Sequence, residues 1–236
     1  MPAPEPVSLV EVGGAGAAAF VAGLEVSYRA VAGLSVALHG VDASFAPGVL
    51  SVVAGPSGSG KSSLLRVLAG LHRPTGGTVH VAGVDLGRLR SGARRRHRRE
   101  SVGMVLQRPS DNLLDYLTAI EQVEVAARFR GTDPAEAASV LDAVGLAAKA
   151  DMELSELSGG EQQRVAFAAA AVGSPAVLLA DEPTAQLDGR SASSVIESMR
   201  SLVGRGTSLI VSSHDAAVID AADDVVRLAN GRVVSA

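Results

Sequence analysis

The run Gly55-Pro56-Ser57-Gly58-Ser59-Gly60-Lys61-Ser62 is the plainest piece of chemistry in this chain. It fits G-x-x-x-x-G-K-[ST] at each fixed position, and a second hydroxyl residue, Ser63, follows it. Glycines there let the backbone curl closely around oxygen atoms. The exposed N–H groups and the positive end of a following helix then stabilise a polyanion. Lys61 is placed to reach terminal phosphates, and the Ser62 hydroxyl to ligate Mg2+. The pattern specifies a nucleoside triphosphate, not the use made of its energy.

A second constellation is Val177-Leu178-Leu179-Ala180-Asp181-Glu182-Pro183, an apolar strand ending in two acids. A buried strand that delivers Asp181 beside the phosphate loop lets it hold Mg2+ through water. Glu182, the next residue, points differently and can polarise an attacking water as general base. Further on, Ser158-Gly159-Gly160 reads as a helix N-cap with a close-approach backbone, which is another anion-binding end. One chain with two such ends suggests that the second completes the site of another copy.

These residues need a scaffold that brings distant segments together. Leu50–Ala54 reads as a buried strand entering the glycine-rich turn. The segment Lys61–Leu71 has helical spacing, with Leu64, Leu65, Leu68 and Leu71 on one side. From Val21 the text shows short β-like runs, with further strands at Thr78–Ala82 and Val102–Leu106. Helical text fills Thr118–Leu146, with a new start at Asp133-Pro134, and returns after Gly160. Strands then recur at Ala176–Ala180, Ser208–Ser212 and Asp224–Leu228, with a helix over Ser191–Val203. Strands alternating with helices indicate an α/β core with a mainly parallel sheet. The helix-rich middle, residues 108–172, reads as an insertion between core segments 20–107 and 173–236. Residues 1–19, rich in Gly, Ala and Pro, read as a loose extension.

Composition narrows the function classes. The chain has 236 residues and a net charge of −4, so it has no whole-surface basic footprint for nucleic acid. It has no cysteine, which excludes disulfides and thiolate metal sites and fits a reducing compartment. No apolar run reaches the roughly 20 residues that a membrane span needs. The start lacks the basic and apolar regions of a signal peptide. The expectation is a soluble, cytoplasmic protein that serves a membrane only through a partner. Aromatics are only 3% of the chain, so the core must be built from Ala, Val and Leu. Positive charge is mostly arginine, concentrated in Arg94-Arg95-Arg96-His97-Arg98-Arg99; the reading favoured here is a solvated face, with an anionic-lipid patch next.

Leu157-Ser158-Gly159-Gly160-Glu161-Gln162-Gln163-Arg164 resembles the signature motif of the ABC ATPase family. With the phosphate loop and the Asp181-Glu182 strand, the resemblance covers about residues 20–235. It implies a P-loop NTPase core with a mainly parallel sheet, an N-terminal antiparallel β region and an inserted helical subdomain. It also implies ATP and Mg2+ as ligands, and a head-to-tail homodimer that sandwiches two ATP molecules. Each ATP would touch the phosphate loop of one subunit and the signature of the other.

Other positions match family elements one by one. Tyr28 resembles the aromatic that stacks on adenine. Gln107 resembles the glutamine that senses Mg2+ and links core to insertion. Ala185-Gln186-Leu187-Asp188 resembles the loop that crosses the dimer interface, and His214 the histidine that contacts the γ-phosphate. The catalytic set implied is Glu182, His214, Lys61 and Gln107, and the metal set Ser62, Gln107 and Asp181. Three departures stand out: Ala169, where relatives commonly have Arg, Ser63, where Thr is commoner after the loop serine, and Gln122, where many have Asn.

The segment Gln107–Ala126 resembles ATPase subunits of the lipoprotein-release and macrolide-efflux type. The implied role is to hydrolyse ATP and power a separate membrane permease, docked by a short helix into the cleft near Gln107. The chain would then sit at the inner face of the membrane through that permease. The alternative is a soluble ABC ATPase acting on DNA, ribosomes or cofactor assembly. The chain lacks the long coiled-coil insertion of DNA-repair relatives and the paired ATPase domains of ribosome-acting ones.

Overall fold

The computed structural model describes residues 16–30 and 33–234. The proposed loose extension lies outside the described residues up to position 15. Ala18 is already buried, and its N–H donates to the Phe45 carbonyl. The sheet therefore takes hold one or two residues before position 20.

Two sheets organise the chain. Strands β1 (Ala19–Ala30) and β2 (Gly33–Phe45) pair antiparallel, and β1 also pairs with β4 (Gly76–Val81), which pairs with β5 (Val84–Asp85). The order is β2-β1-β4-β5. Where the sequence suggested short runs, β1 and β2 span 12 and 13 residues, with shifts of register that break the alternation.

The second sheet contains β3 (Leu50–Ala54), β6 (Val102–Val105), β7 (Val177–Asp181), β8 (Ser208–Ser213), β9 (Asp224–Ala229) and β10 (Arg232–Val233). Its order is β10-β9-β3-β8-β7-β6, parallel throughout except for β10 on β9. Both faces of β3, β7 and β8 are buried, which explains why these strands read as continuous apolar runs.

The two faces feed two cores. On one side Val53, Leu179 and Ile210 pack with the antiparallel sheet and with helix α1 (Lys61–Leu68). On the other, Val52, Ala54, Leu178 and Val211 meet helices α3 (Ala119–Arg130), α4 (Glu136–Ala143), α5 (Gly159–Ala171) and α6 (Gly189–Gly204). Adjacent strand residues point to opposite faces, so a one-residue slip would exchange the two cores.

Helix α1 buries Leu64, Leu65 and Leu68, each worth about 1.5–3 kcal/mol when removed from water. It stops at Leu68, and the chain turns through Gly70 at φ 65°. Leu71, expected on the same apolar side, is therefore 54% exposed. The basic stretch forms a further helix, α2 (Ser91–Ser101), with no buried residue. A short helix α7 (Ala216–Asp220) follows β8. Among the described residues no helix is long and apolar enough to cross a membrane.

Helix starts follow local chemistry. Thr118 and Ser158 each form a reciprocal capping box, with Glu121 and Glu161 respectively. Asp188 caps α6 by accepting from the Arg190 and Ser191 N–H groups. Gln122 is buried, donating to the Leu114 carbonyl and accepting from the Leu114 N–H, so it fixes the loop that precedes α3. Ala169 packs half-buried against the helical core.

Candidate nucleotide site

The phosphate-type loop runs from the end of β3 into α1, as the spacing of residues 50–62 requires. Its glycines are held by the rest of the chain. A Cβ on Gly55 would lie 2.2 Å from the Leu228 carbonyl oxygen. Gly60, at φ 104°, leaves room for Leu38 Cδ2, which a Cβ would approach to 2.6 Å. The loop is thus clamped between β9 and β2. The first N–H groups of α1 have no partner within the helix and face the loop.

Lys61 is almost fully buried. Its Nζ donates to the Gly55 carbonyl at 2.8 Å and the Pro56 carbonyl at 3.1 Å, and pairs with Glu182 Oε1 at 3.0 Å. Three donors thus meet three oxygens, and the ammonium is fixed inside the loop. Ser62 Oγ donates to Asp181 Oδ1 at 2.9 Å, so two of the three expected metal residues, Gln107 being the third, stand side by side at the start of α1 and the end of β7. Their oxygen donors are the hard type that Mg2+ prefers, and a pair of them suits an ion that takes its other ligands from phosphates and water.

Asp181 is aimed by a residue that sequence reasoning passed over. Ser212 Oγ donates to Asp181 Oδ1 at 2.6 Å and accepts from the Glu182 N–H at 3.0 Å. The Ser212 carbonyl accepts from that same N–H. The signal was present: Ser212 and Ser213 interrupt an apolar run, and a buried hydroxyl there needs a partner.

Glu182 adopts a left-handed backbone, φ 48°, which costs a non-glycine residue of order 1–3 kcal/mol. The Ser212 contacts offset that strain. The turn swings the Glu182 carboxylate off the strand line toward Lys61 and His214. His214 Nδ1 lies 2.9 Å from Glu182 Oε2 and 3.1 Å from Oε1. Lys61, Ser62, Asp181, Glu182 and His214 thus form one connected group, although 153 positions separate its ends, from 61 to 214.

Tyr28 lies beside this group. Its hydroxyl donates to Ser63 Oγ at 3.1 Å, and its ring faces His72, centroids 4.7 Å apart and tilted by 37°. Gln107 is exposed on the loop after β6. Two further residues missed in the sequence hold that loop. Asn112 accepts from the Leu106 N–H and donates to the Met104 carbonyl, and buried Gln163 of α5 donates to the Leu106 carbonyl.

Ser158, Gly159, Gly160 and Asp188 form a separate cluster. Gly160 lets α5 approach α6, since a Cβ there would lie 2.8 Å from Ser191 Cβ. Gly159 is exposed, and a Cβ would meet only Leu187 Cδ2, at 3.7 Å. Glu161 ties the start of α5 to Lys149 at 2.7 Å. That bond, foremost, holds the Glu161 carboxyl below the usual glutamate range, helped by the Ser158 hydrogen bonds. The Asp188 carboxyl is also lowered, chiefly by the Ser191 N–H and hydroxyl.

A clamped phosphate-type loop, an aspartate beside its serine and a helical lobe between two strands of the parallel sheet define a P-loop nucleoside triphosphatase. The chain belongs to the ABC transporter family, whose profile matches residues 38–185. It is 40% identical over 221 residues to the lipoprotein-releasing system ATP-binding protein LolD of Anaeromyxobacter dehalogenans, covering 91% of this chain and 92% of that protein. It is 37% identical over 219 residues to the macrolide export ATP-binding/permease protein MacB of an Azoarcus species, spanning 91% of this chain but 33% of that protein. Among solved structures, the dimeric ATP-binding cassette MJ0796 in a post-hydrolysis state with ADP and Pi superposes with a TM-score of 0.81 at 29% identity, over 92% of this chain and 97% of that one. The chain accordingly binds nucleotide and hydrolyses ATP as the ATP-binding component of a transporter.

Proposed function

We propose that this chain works as a homodimer that closes on two ATP molecules and drives a separate membrane permease. The observation that carries the reading is Gly159. It sits exposed at the first turn of α5, with a helical rather than left-handed backbone and no close neighbour in its own chain. Nothing within the protomer demands a glycine there, and this reading assigns the open face to the phosphates of an ATP held by a second copy. That the similar cassette MJ0796 is dimeric supports the same arrangement.

In this reading the loop Gly55–Ser62 and the N-terminal N–H groups of α1 hold the phosphates, with Lys61 neutralising charge as it develops. Tyr28 offers a flat face to the base. Ser62 and Asp181 would hold Mg2+, which when bound supplies positive charge against the terminal phosphates. Glu182 accepts the proton of the attacking water, and His214, hydrogen-bonded to the same carboxylate, keeps it oriented. Ser158 and Gly159 of the other copy present the helix N-terminus to the far side of the phosphates. Gln163 and Asn112 tie the signature helix to the Gln107 loop, so closure at the nucleotide is felt where a permease would dock.

The docking surface in this reading comprises Leu114 and Tyr116, exposed apolar side chains on the segment between Gln107 and α3. The chain would then sit on the inner face of a membrane, held there by the permease. A role on nucleic acid has no support in the net charge of −4.

Cysteine crosslinking tests the dimer. In a chain that has no native cysteine, Ser57→Cys and Ser158→Cys placed on different copies are expected to crosslink in the presence of ATP when Glu182→Gln blocks turnover. A crosslink that never forms, with ATP saturating and bound, would remove the shared site.

A further inference from the structure

The Arg94–Arg99 run plays no part in the nucleotide site, and its placement gives it another use. Helix α2 lies along the end of α3, and between them is a cavity of about 450 Å³ lined by Arg95, Arg96, Arg98, Arg99, Arg130 and Phe129, with Gly92 and Val102. Five guanidinium groups share one hollow in a protein whose net charge is −4. The acid close to them is Glu100, which pairs with Arg96 at 2.9 Å and Arg99 at 3.5 Å. Arg130 is committed elsewhere, donating to the carbonyls of Arg99, Val102 and Ala170. Its charge nevertheless lines the cavity.

The inner side of α2 supplies no relief. Arg94 lies beside Arg73 and Arg98, its Nη1 is buried without a hydrogen-bond partner, and burial together with those two neighbours lowers its affinity for its proton. On the rim, Phe129 is 73% exposed, an apolar ring beside a cationic groove.

We propose that the groove between α2 and the end of α3 binds the phosphate headgroup of anionic phospholipids, with Phe129 lying against the apolar boundary of the bilayer. Guanidinium groups bind phosphate oxygens through paired N–H donors, so the exposed Arg95 and Arg99 can grip a phosphodiester in more than one way, while Arg98, which donates to the Gly70 carbonyl, adds its charge. A free phosphate would satisfy the arginines and leave Phe129 in water. A lipid meets both. Clustered basic residues gain further from the negative potential of a lipid surface, to which each contributes roughly additively. The site is independent of the nucleotide reading, because no residue of it touches the loop or Glu182. It gives the ATPase a hold on the membrane that needs no permease.

The test is co-sedimentation of the purified full chain with vesicles of phosphatidylcholine alone and of an equal mixture of phosphatidylcholine and phosphatidylglycerol. Binding is expected to the mixed vesicles only, and to fall as salt is raised. The double variant Arg95→Glu/Arg99→Glu should weaken it by about tenfold or more, and Phe129→Ser should weaken it without changing net charge. The control is Arg227→Glu/Arg232→Glu, which makes the same change of charge on β9 and β10, at the opposite edge of the sheet from β6. Retained ATPase activity in each variant shows that it is folded.

Equal loss in both double variants would reduce the effect to net charge and overturn the proposal. So would equal binding to both vesicle types, or no binding to mixed vesicles at low salt. Binding of poly-glutamate in the groove with none to vesicles would assign it to an acidic protein partner instead.

Discussion

The phosphate loop and the signature are both glycine-rich entries into a helix, yet the chain treats them differently. At the loop, the two flanking glycines and the lysine answer to neighbours in the same protomer. Gly55 is pressed by Leu228, Gly60 by Leu38, and Lys61 is bound to two carbonyls and Glu182. At the signature, Ser158 and Glu161 satisfy each other, Gly160 makes room for Ser191, and a Cβ on Gly159 would meet only Leu187 Cδ2, at an ordinary contact distance of 3.7 Å. One helix entry is shaped by contacts within the chain. The other, on the proposed reading, is open to a ligand held by a second copy.

The largest test of this contrast is Glu182→Gln. It leaves the loop intact and removes the proposed base, so turnover should fall about 10²- to 10⁴-fold while nucleotide binding persists. Steady-state phosphate release and nucleotide binding, measured together, decide it; a variant that still turns over normally takes Glu182 out of the chemistry. Next is Gly60→Ala. The new methyl meets Leu38 Cδ2 and a backbone φ of 104°, so both thermal stability and nucleotide affinity should drop, stability by about 1–3 kcal/mol. Calorimetry and nucleotide titration read the two losses.

Gly159→Ala sharpens the comparison most. No clash awaits the methyl, and alanine favours a helix over glycine by up to about 1 kcal/mol. The melting temperature should stay level or rise, whereas ATP hydrolysis falls at least about tenfold because the methyl stands between helix and phosphate. Loss of stability in step with activity would show that Gly159 serves its own protomer after all.

The smallest effect concerns Glu161. Its carboxyl is held below the ordinary glutamate value of about 4.3, so its contribution is complete above that pH and is lost as pH falls through the lowered value in the folded chain. Glu161→Gln should therefore melt lower than the parent near neutral pH and converge with it in acid. Thermal melts across that range show the convergence or its absence.

Much of the site was legible because its chemistry constrains residue type at short spacing. The loop of residues 55–62, the Asp181-Glu182 pair and the Ser158 cap each state their function within a few positions. Ser212, Asn112 and Gln163 were less legible, because a serine, asparagine or glutamine acquires meaning only from the backbone group it meets. Leu71 shows the complementary error. Its spacing fits the apolar side of α1, but the turn at Gly70 ends the helix first and leaves it in solvent. The long pairing of β1 with β2 was read as short runs because its register shifts interrupt the alternation.

The sequence by itself determined what the chain can bind and which atoms could do chemistry, since glycine conformations, a lysine and paired carboxylates at fixed spacing have few other uses. Only the tertiary structure decided which of these meet. Parallel pairing of β7 and β8 brings Ser212 to Asp181 and His214 to Glu182, a juxtaposition set by sheet order rather than local spacing. The packing of α5 on α6 likewise separates the demand on Gly160 from the freedom at Gly159. Two identical letters in the sequence differ because long-range packing, which no local pattern encodes, places a wall against one and leaves the other open.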